Sequence, residues 1–503
     1  MTDALTRGPS WIAGEPRRYV GENPLAVSRH VTAQSRKLAT VAISTTFHAR
    51  YYTLHALVAD ECASRELSRD EQVQLIRRCE VVLAAITLQH GGEHSYPLNP
   101  HGIRAISAAL DRDGRLNLAA LAGIRDGSYS RARWGFFWDY ATVEQALGLV
   151  RWTREGLKPG THLDAEKVKA GLGGILKLAQ QDVLELEELR AHSEFCLCRM
   201  PSAADGDALR ERLLPTDSDS HAKGSGSSQT IRLLLVLLEL NRGGSGNLQE
   251  ELGDVLLFDR VAQQDARLEA LEVTSAWMGL LLREKSVRAW HRLWKWTVAQ
   301  IDGITTVEEL GRAVASELPD ETVGTYVSKL PRRTADAAAD GVLLPAELQA
   351  EHDETRTYVD RQFAKLLLGA LRLDELPSRV AIYFEHPPTE RQARLRPGWL
   401  RDLLPQWADE PLRDFAIYLT QQMTSRASQI SLSKARFDAS TCLYELPLGV
   451  SLHDGLVVKD ADQLSIDTWF RWNAIARILV GVGLTELVDG RWQVTDMGRQ
   501  QWR

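Results

Sequence analysis

Histidine and glutamate side chains are concentrated in one short segment, residues 90–94, which reads HGGEH and is followed by His101. The segment matches H-x-x-E-H, the inverted zinc-peptidase motif, in which two helical histidines hold zinc and the glutamate acts as a base. Two glycines inside the motif and two prolines shortly after it favour a loop that leaves a helix. We therefore expect a helix-exit loop, and a loop metal site formed by His90, His94 and His101 is the alternative.

Two cysteines, Cys196 and Cys198, form a second group of potential metal ligands. They are separated by one residue, and no second cysteine pair follows at the spacing of a zinc ribbon. The five cysteines of the chain are odd in number and lie in mostly apolar surroundings, which is not typical of a disulfide framework. The sequence predicts buried, reduced thiols here, and it predicts no metal site and no cofactor.

The residue patterns of common nucleophilic and phosphate-binding sites do not occur in the sequence. No serine lies in a G-x-S-x-G turn, and the glycines of residues 223–228 follow their lysine, in the opposite order to a P-loop. Asp217 and Asp219 lie near His221, but in a segment without apolar anchors. The sequence therefore predicts no catalytic residues, and a metal-dependent nuclease or hydrolase that uses the histidines of residues 90–101 is the enzymatic alternative.

Basic residues alternate with tryptophans in two stretches, an arrangement that suits contacts with nucleic-acid phosphates. In the first stretch, helical spacing places Arg288, Arg292 and Lys295 along one side of a helix. In the second stretch, four arginines surround a tryptophan, and they are Arg391, Arg394, Arg396 and Arg401. The sequence predicts DNA contacts at both stretches, and a solvated face over a tryptophan-anchored core is the alternative for each.

The chain that must position these residues has the composition of an ordinary globular protein. It contains 503 residues, of which 44% are hydrophobic and 25% are charged, so a disordered chain and a disulfide miniprotein are excluded. The net charge of −7 excludes a uniformly basic wrapping protein and restricts any DNA contact to local patches. Residues 1–21 lack an apolar signal core, and no stretch of about 18 apolar residues occurs. We therefore expect a cytoplasmic protein with no membrane partner.

Most of the sequence has the apolar spacing of amphipathic helices, which predicts a mainly α fold. Clear examples are residues 47–63 and the helix that follows a capping box at Ser68. A cap at Thr142 predicts a further helix that Gly156 ends, and residues 380–384 are a strand candidate.

Residues 469–503 contain the strongest local signals. A helix that includes Trp469 ends at Gly483, and Asp489-Gly490 then separates two short apolar runs. Asp-Gly at this place is the strongest short-range hairpin signal, because both central residues of the tight turn need positive φ. Helix, hairpin and short tail in this order are typical of a winged helix.

This ending resembles a bacterial winged helix-turn-helix domain, in which a recognition-type helix runs into a Gly-Leu turn, a wing and an L-T-x-x-G finish, here VTDMG at residues 494–498. The resemblance implies that Arg471, Asn473 and Arg477 face DNA from the helix and that Arg491 in the wing lies near a phosphate. Winged helices also dock proteins, so a protein-docking or purely structural role is the alternative.

The expected organisation is a mainly α, multi-domain helical protein with a C-terminal winged-helix (α+β) module. Between residues 200 and 228 the sequence is rich in Ser, Gly and Asp, which is typical of a flexible linker or loop. The predicted segments are an N-terminal helical domain, the linker, a central helical domain and the winged-helix domain, at residues 1–199, 200–228, 229–404 and 405–503.

A second, weaker resemblance concerns FHARYYTLHALVADE at residues 47–61, ahead of a long helical body and the winged-helix ending. In this respect the chain resembles uncharacterised large proteins of bacterial phage-defence islands, which implies antiviral defence as the biological context. We therefore expect a non-catalytic DNA-associating or scaffolding subunit of a defence or DNA-transaction complex, with DNA and other protein subunits as partners. The alternatives are the metal-dependent nuclease or hydrolase and a pure protein-interaction adaptor.

Overall fold

The computed structural model describes residues 24–90, 98–215, 226–331, 346–385, 394–439, 442–445, 450–453, 455–459, 462 and 470–502. It is 63% helix and 9% strand, which confirms the mainly α fold class. No helix in the described part of the chain is long and apolar enough to cross a membrane.

The α-helices of the described residues are, in chain order, α1 Arg29–Leu38, α2 Arg50–Ser64, α3 Arg69–Gln89, α4 Ile103–Asp113, α5 Leu118–Ala122, α6 Phe137–Ala146, α7 Ala165–Leu172, α8 Gly174–Leu178, α9 Leu186–Ala191, α10 Ala204–Leu213, α11 Gly226–Leu240, α12 Leu248–Phe258, α13 Arg260–Gln263, α14 Ala266–Glu269, α15 Glu272–Ala299, α16 Val307–Ser316, α17 Val323–Ser328, α18 Ala346–His352, α19 Tyr358–Arg372, α20 Ser378–Phe384, α21 Pro397–Trp407, α22 Leu412–Ser433, α23 Trp472–Gly481 and α24 Asp496–Arg499. The strands are β1 Arg115–Asn117, β2 Val150–Thr153, β3 Gly156–Pro159, β4 Val183–Glu185, β5 Ile304–Thr306, β6 Arg436–Asp438, β7 Leu443–Glu445, β8 Val450–His453, β9 Leu456–Lys459, β10 Thr485–Val488 and β11 Arg491–Val494. They form antiparallel sheets with the orders β1-β4, β2-β3, β5-β9-β8, β6-β7 and β10-β11.

The chain divides into two compact units, each made of two chain segments. Unit 1 comprises residues 1–35 and 274–468, and unit 2 comprises residues 36–273 and 469–503. This division differs from the boundaries expected at residues 199, 228 and 404. The C-terminal segment belongs to unit 2 because α23 packs against α11 and α12, and its buried side chains Ile475, Ile478 and Leu479 complete that core.

The helix pair α2 and α3 forms part of the centre of unit 2. α2 buries Tyr51, Leu54 and Val58, as its helical spacing predicts. At the start of α3, the backbone N–H of Glu71 donates to the Ser68 hydroxyl, and the Glu71 carboxylate accepts the Ser68 N–H at 2.7 Å. The capping box predicted from the sequence is therefore confirmed.

The region that follows Thr142 differs from the prediction. Thr142 lies inside α6 and does not cap a helix, and α6 ends at Ala146 rather than near Gly156. Gly148 has a φ of 70°, a conformation that glycine adopts without strain and that ends helices. The apolar residues after it therefore form β2, which pairs with β3 as a hairpin.

The predicted linker is partly helical. Residues 197–202 form a 3-10 helix, and α10 covers Ala204–Leu213. Asp205, at the start of α10, is buried and accepts two hydrogen bonds from Arg50 of α2, at 3.0 and 3.2 Å. Because a buried ion pair requires a fixed partner geometry, this half of the segment is not a flexible linker. Residues 216–225 lie outside the described residues.

In unit 1, α22 packs along α16, and β5, β9 and β8 form a three-stranded sheet. The predicted strand at residues 380–384 is wrong, because these residues belong to the helix α20. Val380 and Phe384 are four residues apart, so both fall on the buried face of that helix.

The C-terminal hairpin is confirmed. β10 pairs with β11 across Asp489 and Gly490, whose φ values of 50° and 74° are the positive values that the two-residue turn requires. The helix before it, α23, begins at Trp472, and Trp469 lies outside the described residues. We call α23 with β10 and β11 the C-terminal helix-hairpin module.

Candidate functional site

Unit 2 contains a cavity of about 590 Å³, a size that suits a small-molecule ligand. Three separate parts of the chain form its wall: the residues before α2, the turn that leads into α4, and the C-terminal helix-hairpin module. The lining residues are Phe47, His48, Asn99, Pro100, His101, Gly102, Ile103, Arg477, Val480, Leu487 and Trp492.

Arg477 is the charged residue among the described lining residues. It lies on the exposed side of α23, whose other positions are largely buried. Its guanidinium carbon is 5.2 Å from the ring centroid of Phe47, within the range of a cation-π contact. None of the ion pairs between described residues involves Arg477.

Trp492 is held at the cavity by backbone hydrogen bonds on both sides of its residue. Its N–H donates to the carbonyl of Gly244 at 2.7 Å, and its carbonyl accepts the N–H of Gly244 at 3.0 Å. This bridge ties the hairpin to the loop that follows α11. The backbone at Trp492 is therefore fixed relative to that loop.

His48 contributes a neutral imidazole to the cavity wall. Its Nε2 lies 2.8 Å from the backbone carbonyl oxygen of Asn99, which only accepts, so we assign the ring proton to Nε2. Burial lowers the pKa of His48 to about 4; the hydrogen bond with Asn99 opposes this shift and the charge of Arg477 adds to it. At neutral pH the ring thus keeps Nδ1 as a hydrogen-bond acceptor.

His101 is the second imidazole of the cavity wall. Its ring stacks on Phe136 at a centroid distance of 4.4 Å and meets the edge of Tyr51 at 4.9 Å. Nε2 lies 2.8 Å from the Tyr140 hydroxyl. Burial, with smaller contributions from His48 and His55, lowers the pKa of His101 to about 3. This ring is therefore also neutral at physiological pH.

A buried ionic triad of His55, Glu80 and Glu144 lies in unit 2 and joins α2, α3 and α6. Nδ1 of His55 is 2.7 Å from Oε1 of Glu144, and Nε2 is 3.0 Å from Oε1 of Glu80. A neutral imidazole has only one N–H, so the imidazolium is the form that donates to both carboxylates. Glu80 also accepts the Phe136 N–H at 3.0 Å and the Tyr129 hydroxyl.

The pKa values of two triad residues, His55 and Glu144, are raised in the folded unit. Burial would lower the pKa of His55, but the carboxylates of Glu144 and Glu80 outweigh burial and raise the pKa to about 9. Burial raises the pKa of Glu144 to about 7, against the opposing effect of His55. All three side chains are fully buried, and none lines the cavity. The triad therefore joins three helices and lies outside the lining of the cavity.

Two of the residues predicted to face DNA are engaged within unit 2. Nη1 of Arg471 is 3.3 Å from the carbonyl oxygen of Ala42. The Asn473 side-chain amide donates to the Gly246 carbonyl at 2.6 Å and accepts the Leu248 N–H at 3.2 Å. Arg477 lines the cavity. Arg491 is exposed in the hairpin, and none of the described ion pairs includes it.

The first basic stretch lies on α15, where its arginines pair with carboxylates. Arg288 bonds to Glu284 at 3.0 Å, and Arg292 bonds to Glu351 at 2.8 Å. Lys295 is exposed. Trp290 and Trp294 are buried, and Arg288 and Arg292 are half-buried beside their carboxylate partners.

The second basic stretch shows the same pairing. Arg396 forms an ion pair with Glu385, and Arg401 bonds to Asp402 at 2.8 Å and to Asp374 at 3.4 Å. Arg394 bonds to the side chain of Gln422 at 2.8 Å. Arg391 lies outside the described residues.

The histidines of residues 90–101 have different surroundings in the structure. His90 lies at the C-terminus of α3, where its ring contacts Cys198. His101 lines the cavity, and His94 lies outside the described residues. Cys196 is buried as predicted, whereas Cys198 is half-buried.

Comparisons with known proteins identify no relative: no protein-family model, no curated protein and no solved structure matches this chain.

Sequence reasoning missed most of the cavity and the whole triad. His48 and Phe47 were assigned to a helix, and His55 was not considered as an ion-pair partner. The available signal was His55 on the apolar face of α2, because a buried polar side chain destabilises the fold unless it has a hydrogen-bond or ion-pair partner. The partners, Glu80 and Glu144, are distant in sequence, so no local spacing identifies them.

Proposed function

We propose that unit 2 is a ligand-binding unit and that its cavity takes a small anionic molecule with a planar heteroaromatic ring. The observation that carries this proposal is the combination, among the described lining residues of one cavity of about 590 Å³, of a guanidinium, two aromatic rings and two neutral imidazoles. Apolar cavities with a few fixed polar groups are the usual form of small-molecule sites.

The anionic group of the ligand follows from Arg477. Guanidinium groups bind phosphate and carboxylate through paired N–H donors. Arg477 meets no carboxylate among the described residues, so its charge is available to an anion from outside the chain.

We infer the planar ring of the ligand from Phe47 and Trp492, two aromatic residues that line the cavity. Stacking against such surfaces contributes about 1–3 kcal/mol per nucleic-acid base. The Nδ1 acceptor of His48 suits an N–H donor on a heterocycle. A ring, an N–H donor and an anion together describe a nucleoside monophosphate, and we take AMP as the probe of this class.

Isothermal titration calorimetry of the full chain with AMP tests the proposal. Adenosine and inorganic phosphate serve as probes of the two halves of the ligand. We expect AMP to bind and each half to bind at least about tenfold more weakly, because each makes only part of the contacts.

Arg477→Ala should lower the affinity for AMP by about tenfold or more, the usual loss for one charge-assisted hydrogen-bond partner. Arg491→Ala is the matched control, because Arg491 belongs to the same module but does not line the cavity. Absence of AMP binding at millimolar concentration, or equal affinities of wild type and Arg477→Ala, would contradict the proposal.

DNA association, as predicted from the sequence, is a second candidate function, and exposed Arg491 on the hairpin favours it. Phosphate contacts through this module predict binding of a short DNA duplex that weakens with salt. Fluorescence anisotropy should then show that Arg491→Ala reduces the salt slope by about one. Loss of DNA binding with intact AMP binding in Arg491→Ala would separate the two functions, and absence of DNA binding at low salt would reject this candidate.

A further inference from the structure

Three soft metal ligands meet in unit 2, at the C-terminal end of α3. Sγ of Cys198 is 3.4 Å from Nδ1 of His90 and 3.3 Å from Sγ of Cys196. One ligand atom from each of these residues lies within 4.8 Å of the other two. His90 is separated from the cysteines by more than a hundred residues of sequence, so the fold itself creates the group.

Two of these separations are close to those around a tetrahedral zinc ion, and the third, between Cys196 and His90, is at most 4.8 Å. Zinc binds cysteine sulfur at about 2.3 Å and histidine nitrogen at about 2.0–2.1 Å, which places neighbouring ligand atoms about 3.4–3.8 Å apart. Thiolate and imidazole ligands also select zinc over magnesium or calcium, which prefer oxygen. The three side chains thus have the residue types of a Cys₂His site, and their ligand atoms lie within 4.8 Å of one another.

The backbone around the cysteines is held in place from outside the group. The buried guanidinium of Arg50 donates from Nη1 to the carbonyl oxygens of Glu194 and Cys196, at 2.8 and 2.5 Å. The same guanidinium forms the ion pair with Asp205. Backbone support of this kind fixes ligand direction before a metal binds.

We propose that His90, Cys196 and Cys198 bind one Zn²⁺ ion, with His90 as an Nδ1 ligand and a water molecule completing the tetrahedron. The ion joins the end of α3 to the 3-10 helix at residues 197–202. Nε2 of His90 then carries the ring proton, so Arg199, whose Nη2 is 3.4 Å from Nε2, turns away. Arg199 is exposed and has room for this movement.

Metal analysis of the full chain tests this assignment. Protein purified with a reductant and then loaded with Zn²⁺ should retain about one zinc per chain after removal of excess metal. Cys198→Ser and His90→Ala should each lower retained zinc at least about tenfold, as removal of one ligand does. Cys62→Ser is the matched control, since Cys62 is a buried cysteine of the same unit outside the group, and its zinc content should be unchanged.

Cobalt substitution distinguishes metal binding by the cysteines from a purely structural role, because only thiolates bound to cobalt give the expected absorption. Co²⁺ bound by two thiolates in tetrahedral geometry gives sulfur-to-cobalt charge-transfer absorption and intense visible bands. We expect both in wild type and in Cys62→Ser, and neither in Cys198→Ser.

A thiol assay keeps the proposal testable if the variants do not fold. Zinc loading should protect Cys196 and Cys198 of the native wild-type protein from alkylation, whereas exposed Cys442 reacts at the same rate with and without zinc. The assignment would be overturned if the two thiols stayed reactive after zinc loading or if the protein retained no zinc. It would also be overturned if Cys196 and Cys198 formed a disulfide whose reduced thiols then bound no zinc.

Discussion

Unit 2 contains a helix-hairpin module twice, as α6 with β2 and β3 and as α23 with β10 and β11. In both modules a glycine with positive φ follows the helix, Gly148 at 70° and Gly483 at 77°. The next residue is a buried leucine, Leu149 or Leu484. Its N–H donates to the carbonyl five residues earlier, at 2.8 and 2.9 Å. In both modules, the same kind of helix ending therefore leads into a hairpin whose two strands have four residues each.

The side chains of the two modules have different roles. The first module contributes Glu144 to the buried ionic triad, where it stabilises the packing of three helices. The second contributes Arg477 and Trp492 to the cavity wall, where we propose that they contact a ligand. A Gly-Leu helix ending thus accompanies the same backbone in both modules, whereas the side chains of the helix and the hairpin differ between a structural and a proposed binding role.

The largest effect on stability should follow from disrupting the ionic triad, to which the first module contributes Glu144. Glu80→Ala leaves the His55 imidazolium with one carboxylate and removes the acceptor of Tyr129 and Phe136. We expect a loss of about 3–5 kcal/mol in the free energy of unfolding, as for other buried pairs that lose one partner. Urea denaturation followed by circular dichroism measures it. A loss below about 1 kcal/mol, the range of exposed ion pairs, would mean that the triad does not stabilise unit 2.

Alanine at the two helix-ending glycines should distinguish the modules by their surroundings. A Cβ at Gly148 would lie 2.4 Å from Cδ2 of His162, whereas at Gly483 the nearest atom is 3.1 Å away. Positive φ alone costs about 1–2 kcal/mol, so Gly483→Ala should lose about that much and Gly148→Ala more. Gly114→Ala is the control for backbone strain, because nothing lies within 4 Å of its Cβ. Equal losses at all three positions in urea denaturation would show that the contacts do not matter.

The triad and the cavity histidines should respond to pH in opposite directions. The pKa values of Glu144 and His55 are raised, to about 7 and about 9, so the stability they contribute is present at low pH and lost as the pH rises through these values. The pKa values of His48 and His101 are lowered, to about 4 and about 3, so their contribution is present above their ordinary pKa of 6.5 and lost as the pH falls.

The free energy of unfolding, measured by urea denaturation from about pH 5 to about pH 10, should therefore decrease on both sides of neutrality. Glu144→Gln should weaken the alkaline decrease, and the double variant His48→Phe with His101→Phe should weaken the acid decrease. Stability that rises continuously with pH would contradict the raised pKa values of the triad.

The smallest effect on stability should come from the second module. Arg477→Ala removes an exposed side chain, so the free energy of unfolding should change by no more than about 0.5 kcal/mol. Saturating AMP should raise the melting temperature of wild type and leave that of Arg477→Ala nearly unchanged. A large loss of stability without ligand would instead assign Arg477 to the core.

Local signals predicted those parts of unit 2 that local chemistry determines. The capping box at Ser68 and the Asp489-Gly490 turn each lie within a few residues, and both are present in the structure. The Gly148 ending was missed because Gly156 was predicted to end the helix, although Gly148-Leu149 has the same form as Gly483-Leu484. The error at residues 380–384 has another cause, since a short apolar run fits a strand and a helix equally well.

The candidate site depends on long-range packing, which no spacing in one sequence reveals. His48, His101 and Arg477 come from three chain segments, and the last of them joins unit 2 after the whole of residues 274–468. The cysteines and His90 meet for the same reason. From sequence proximity, His90 was grouped with His94 and His101 in the alternative metal site, and no metal was predicted at Cys196 and Cys198.

A crystal structure of the full chain with AMP tests the central claim most directly, namely that the second module and the residues before α2 form a ligand site. We expect the phosphate to lie within hydrogen-bond distance of the Arg477 guanidinium and the adenine ring to lie in the cavity lined by Phe47 and Trp492. An empty cavity in crystals grown at saturating AMP, or AMP bound elsewhere on the chain, would contradict it.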